Sequence, residues 1–180
     1  MTRRRASARL FVMALAGLLV ATEARAEPAP AALREKSLVL SWSRTFTALS
    51  GNASSQLTSV AMLLTANVYV SPQGRVSSSF QQVNNFEDSA VHDGNAFLHW
   101  RFANRVLVSD QAFVRGGRRI IVSFDDGFDT CSLDVNYFTE GGAGPIIVRA
   151  RNNGDVEETN NVISSTSCSV QQGNILVNPQ

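Results

Sequence analysis

Residues 60–80 read VAMLLTANVYVSPQGRVSSSF. Val60, Met62, Leu64, Ala66, Val68 and Val70 alternate with Ala61, Leu63, Thr65, Asn67 and Tyr69, the period of two that sends successive side chains to opposite faces of a strand. Ser71-Pro72-Gln73-Gly74 follows. Pro at the second turn position presets φ and Gly at the fourth relieves the exit. Val76 to Phe80 then returns antiparallel, so the stretch predicts a β-hairpin.

The same period extends in both directions. Toward the N-terminus, Leu38, Leu40, Trp42 and Phe46 share one face against Val39, Ser41, Ser43 and Thr45, which makes Trp42 a core residue rather than a ligand platform. Gln81 to Asn95 is rich in amides and acids and reads as a loop. Beyond it, Leu98, Trp100 and Phe102 oppose Phe97, His99 and Arg101; Val106 to Val108 and Arg119 to Phe124 are strands separated by a Gly116-Gly117 turn. Asp125-Asp126-Gly127 precedes Cys131, Leu133, Val135 and Tyr137, whose neighbours Ser132, Asp134 and Asn136 face water. Further strands are expected at Ile146 to Arg151, Val162 to Val170 and Ile175 to Val177, with turns at Asn152 to Asp155 and Gln171 to Asn174. With no amphipathic helix of about 10 residues or more, the expectation is an all-β fold. It takes the form of a single antiparallel β-sandwich or small barrel of about eight strands over residues 37–180.

The full chain has 180 residues, 44% hydrophobic and 17% charged, with two cysteines, which suits one globular domain. Its one long apolar run, Leu10 to Ala21, is shorter than the roughly 20 residues of a membrane span and follows Arg3, Arg4, Arg5 and Arg9. Ala24-Arg25-Ala26 before Glu27-Pro28 completes the pattern of a secretory signal peptide over residues 1–26, with cleavage between Ala26 and Glu27. An N-terminal membrane anchor is the competing reading. The arginine pair lacks the apolar residues that follow it in a twin-arginine signal, and no cysteine marks a lipid-anchoring site, so the general export route is favoured. Residues 27–36 are expected as a flexible lead-in.

Residues 1–26 carry five arginines and one glutamate, which leaves 11 basic and 14 acidic side chains, a net charge of −3, on the remainder. A mildly acidic surface with one lysine, Lys36, offers no electrostatic footprint for nucleic acid or anionic lipid. The mature chain shows no integral membrane span. An outer-membrane barrel would need strands of about 9 to 11 residues with apolar outer faces, and the ending Val177-Asn178-Pro179-Gln180 lacks the usual aromatic. In an oxidising compartment, periplasmic or extracellular, Cys131 and Cys168 read as one disulfide. A redox pair would want closer spacing, and a zinc site would want ligands beyond His92 and His99.

Candidate chemistry is sparse. His92-Asp93 with Ser77, Ser78 or Ser79 would be the raw material of a hydrolytic triad, yet no nucleophile elbow accompanies it and adjacent strand residues diverge. His99 is expected at the surface. Asp125, Asp126, Asp129 and Asp134 could supply oxygen to calcium, but their spacing is that of a turn. Paired carboxylates for glycoside hydrolysis are not singled out. Arg115, Arg118 and Arg119 could hold an anion through forked donors, or simply form a solvated hairpin tip. Phe97, Tyr69 and Tyr137 could stack on a glycan, or pack the core. Asn52-Ala53-Ser54 matches a glycosylation sequon that would stand idle in a bacterial exporter. No cofactor-binding motif is read.

The stretches Val68 to Arg75, Val122 to Ser132 and Ser167 to Asn174 resemble segments of uncharacterised exported bacterial β-domain proteins. The resemblance implies a secreted β domain with Cys131 paired to Cys168 and carries over no activity or binding residue. The functional expectation is a secreted, non-enzymatic binding or interaction domain for a protein, glycan or small polar ligand. The alternatives are an envelope structural or assembly protein, and a secreted hydrolase.

Overall fold

The computed structural model describes residues 27–50, 58–84, 90–92, 99–103, 105–150 and 154–176. Among the described residues ten strands are formed, β1 (Lys36–Ser50), β2 (Thr58–Val70), β3 (Val76–Asn84), β4 (Ala90–His92), β5 (Trp100–Ala103), β6 (Val106–Ala112), β7 (Gly117–Phe124), β8 (Cys131–Phe138), β9 (Ile146–Ala150) and β10 (Gly154–Gln172). They make two antiparallel sheets, one in the order β4-β3-β2-β1-β10-β9 and the other β5-β6-β7-β8. The all-β expectation holds, as does the hairpin from which it started: Val70 faces Val76 across the Ser71–Gly74 turn, closed by Gly74 N–H on Ser71 O at 2.8 Å.

The core follows the alternation. Leu38, Leu40 and Trp42 from β1 and Leu64, Ala66 and Val68 from β2 are fully or almost fully buried, and they face Leu107, Ile120 and Val122 of the second sheet. Removing these side chains from water is the main favourable term of folding, and it requires both sheets at once. The segment expected as a flexible lead-in is part of this core. Ala31–Leu33 forms a 3-10 turn that inserts Leu33 at 0% exposure, and Glu27 N–H bonds to Phe102 O at the edge of β5. The reason lies in its apolar residues, since Ala29 and Leu33 are the caps of that end of the sandwich.

Three further expectations change, the first being the strand foreseen from Ile175, where Ile175 and Leu176 form a turn. The loop foreseen over Gln81 to Asn95 contains the end of β3 and the short strand β4. The strand foreseen over Val162 to Val170 is the middle of a 19-residue strand that already includes Gly154 and Asp155 of the supposed turn. The signal segment 1–26 and the Asn52-Ala53-Ser54 sequon lie outside the described residues.

One corner of the sandwich positions everything that follows. Cys131 at the start of β8 is bonded to Cys168 of β10, with 5.6 Å between their Cα atoms. At its other end β8 brings Tyr137 to 3.9 Å from the guanidinium of Arg44, a residue that faces Ile163 of β10. The strands β8 and β10 therefore run side by side in opposite directions, and among the described residues no ladder joins them. They are pinned by sulfur at one end and held by side chains at the other.

Candidate functional site

Arg44 stands on the Trp42 face of β1 and must point into the sandwich. It is 4% exposed. A buried guanidinium needs partners for its donors and its charge. Its Nε donates to Asn161 Oδ1 at 2.8 Å, and its Nη2 donates to Glu158 and again to Asn161. Rings of Phe46 and Tyr137 cover its two sides at 4.1 Å and 3.9 Å, a favourable arrangement for a cation. Glu158, itself only 6% exposed, has its carboxyl pushed above the ordinary range by burial, against the pull of Arg44 and Arg118.

Glu158 and Asn161 reach Arg44 because β10 is not regular. Its register against β1 shifts between Ser43 and Arg44 and again between Thr45 and Thr47, and Asn160 adopts a left-handed φ of 53° between the two ligand residues. Asn is among the few residues that tolerate this conformation, and such bulges re-aim neighbouring side chains.

Over this floor lies a hollow of about 310 Å³, at the lower end of small-molecule sites. It lies between the end of β8 and the irregular stretch of β10 and is bordered by Thr139, Gly142, Gly144 and Ile146. Thr139, Glu158, Thr159, Asn160 and Asn161 supply polar groups; Tyr137 and Phe138 supply aromatic ones. Tyr137 has no free ring face to offer, since Arg44 covers one side and Phe113 stacks on it at 6.3 Å. Phe138 is 40% exposed and rests on Gly117, where an added Cβ would come within 2.8 Å of its Cζ and 2.7 Å of Gln111 O. At Gly116, φ is +88° and a Cβ would meet Phe138 O at 2.3 Å. Gly117 is thus the seat of an aromatic ring, while Gly116 leaves room for the Phe138 carbonyl at the turn.

The residues singled out from sequence fare unevenly. Tyr137 lines the hollow, Tyr69 stands on the outer face of β2, and Phe97 lies outside the described residues. The three arginines do not form a common tip. Arg118 is buried at 4% exposure, Arg119 pairs with Asp110 at 2.5 Å, and Arg115 donates to Ala143 O. The physical reason is parity, since Arg118 shares the inward face of β7 with Ile120 and Val122.

The four aspartates are not gathered on one point either. Asp125 accepts the N–H groups of Asp129 and Thr130, Asp126 pairs with Arg105, Asp129 with Lys36, and Asp134 points outward from β8. His92 lies opposite Phe80 in β4, Asp93 is outside the described residues, Ser78 is buried and accepts Trp100 Nε1–H at 3.0 Å, and His99 is exposed. Arg44, Phe138, Glu158, Asn160 and Asn161 were not foreseen.

No family model matches the chain, and no curated protein and no solved structure is detectably similar to it.

Proposed function

We propose that the protein is an exported carbohydrate-binding β-sandwich whose site is the hollow between β8 and β10. The observation that carries this reading is that Phe138, Glu158, Asn160 and Asn161 line one hollow. A sugar ring has an apolar C–H face and a rim of hydroxyls, and it asks for one exposed aromatic surface and several fixed acceptors and donors. Glu158 accepts, while the amides of Asn160 and Asn161 both accept and donate. A carboxylate in the lining disfavours an anionic ligand directly against it, so a neutral sugar fits better than an acidic one. The disulfide and the leader-like N-terminus support export.

Retention on an array of neutral glycans, followed by titration calorimetry with the best ligand, tests the reading. Phe138→Ala is expected to weaken binding about tenfold, the loss of roughly 1.4 kcal/mol of stacking. Absence of retention by the wild-type protein, or equal affinity of the variant, defeats it.

A further inference from the structure

Arg118 is the buried charge that the hollow does not use. It stands on the inner face of β7, its Nη1 donating to Tyr137 Oη at 3.3 Å and its Nη2 to Gln111 Oε1 at 2.5 Å. Both partners are neutral. The carboxylate whose charge it feels, Glu158, is bonded to Arg44. Asp110 does not serve Arg118 either; it alternates with Gln111 onto the outer face of β6 and there pairs with Arg101 and Arg119. Two buried guanidinium groups thus share one buried carboxylate, an excess of one positive charge in the sandwich interior. The rings of Phe80 and Trp42, 5.0 Å and 5.4 Å from Arg118 Cζ, offset part of this cost and leave the charge itself uncompensated.

The same region contains three buried polar atoms without a hydrogen-bond partner, Arg118 Nε, Trp42 Nε1 and Ser109 Oγ. Arg118 and Trp42 are in contact, and Ser109 is the diagonal neighbour of Arg118 across the β6–β7 ladder, where Gln111 faces Arg118 and Ser109 faces Ile120. Two of the three can only donate, and the third is a hydroxyl free to donate. A water molecule could accept from two of them and donate to Ser109 Oγ, but it would leave the excess positive charge uncompensated. A species that only accepts, and that carries one negative charge, answers both the donors and the excess charge.

We propose that the interior of the sandwich at Arg118 binds a small monovalent inorganic anion of the halide type, held by Arg118 Nε–H and Trp42 Nε1–H. The anion completes the charge balance of the core and stabilises the fold by binding the native state alone. This site is independent of the carbohydrate reading, since neither Arg118 nor Trp42 lines the hollow.

The test is thermal unfolding of the full protein in sodium chloride, with sodium gluconate holding ionic strength constant. Each tenfold rise in chloride beyond its dissociation constant is expected to raise the melting temperature by about 3–5 °C. Trp42→Phe, which removes one donor and keeps an aromatic ring, is expected to reduce that shift, and Arg118→Gln to abolish it. Crystals grown in sodium bromide provide a readout that needs no variant, an anomalous peak beside Arg118 Nε. Equal melting temperatures in chloride and gluconate overturn the proposal. So does a halide dependence that survives Trp42→Phe unchanged, or bromide found only at the protein surface.

Discussion

Replacing Glu158 with Gln tests whether the floor of the hollow is an electrostatic structure. The substitution keeps shape and hydrogen-bonding capacity but leaves Arg44 and Arg118 buried, at 4% exposure each, with no carboxylate between them. Removing one partner of a buried pair costs about 3–5 kcal/mol. Burial already holds the Glu158 carboxyl above its ordinary range, so part of the cost of charging it is recovered in the variant, and about 3 kcal/mol is expected. At roughly 2–4 °C per kcal/mol for a domain of this size, the melting temperature falls by about 6–12 °C.

Urea titration with a free fit of the m-value measures the loss without assuming it. The double variant Arg44→Met/Glu158→Leu removes both charges and is expected to be more stable than Glu158→Gln, because a buried pair replaced by apolar residues of similar volume is close to neutral. The double variant also removes the Glu158 acceptor and is not expected to bind sugar. The double variant therefore separates stability, largely restored, from binding, still lost. A Glu158→Gln protein within about 1 kcal/mol of wild type, or a double variant as unstable as the sum of its singles, would refute the account of the floor.

Three further outcomes follow from the same geometry. Cys131→Ala/Cys168→Ala opens a loop spanning a separation of 37 residues, which loop-closure entropy values at about 4 kcal/mol; calorimetry is expected to show a drop of roughly 8–15 °C, with amide exchange accelerated first along β8. Gly117→Ala places a methyl 2.8 Å from the ring of Phe138, and the displaced ring is expected to cost about 1–3 kcal/mol and to weaken sugar retention along with it. Hydrogen bonds from Thr130 and then Asp129 hold Asp125 below its ordinary 3.8, so the stability it contributes is complete above that value and disappears as pH falls through the lowered one. Asp125→Asn is accordingly expected to flatten the acid limb of the stability profile below about pH 3.8 and to leave the neutral limb unchanged in slope.

The parts of this fold legible from sequence are those in which one side of a strand is wet. β1, β2 and β8 alternate because each has an inner face in the core and an outer face in water, and their partners then follow from turn chemistry such as Ser71–Gly74. Arg44 and Arg118 were within reach of the same reading. Each occupies the inward parity of its strand, between Trp42 and Phe46 or just before Ile120, and a charge at such a position is itself a signal that a polar partner waits inside.

Glu158 and Asn161 were not legible in that way. Two register shifts break the alternation of β10, one of them skipping Ser164, so Ile163, Cys168 and Val170, which pack on the core, share no single period with Glu158 and Asn161. Phe138 escaped for a different reason, because its ring sits on Gly117, which beside Gly116 signals in a sequence only a turn. Periodicity reports where a strand is uniform, whereas a binding hollow needs strands that end, splay or bulge. The corner between β8 and β10 does all three, and its residues come from segments whose neighbours in sequence give no hint of one another. Their meeting depends on a disulfide at one end and on a shared guanidinium at the other, both contacts between strands far apart along the chain.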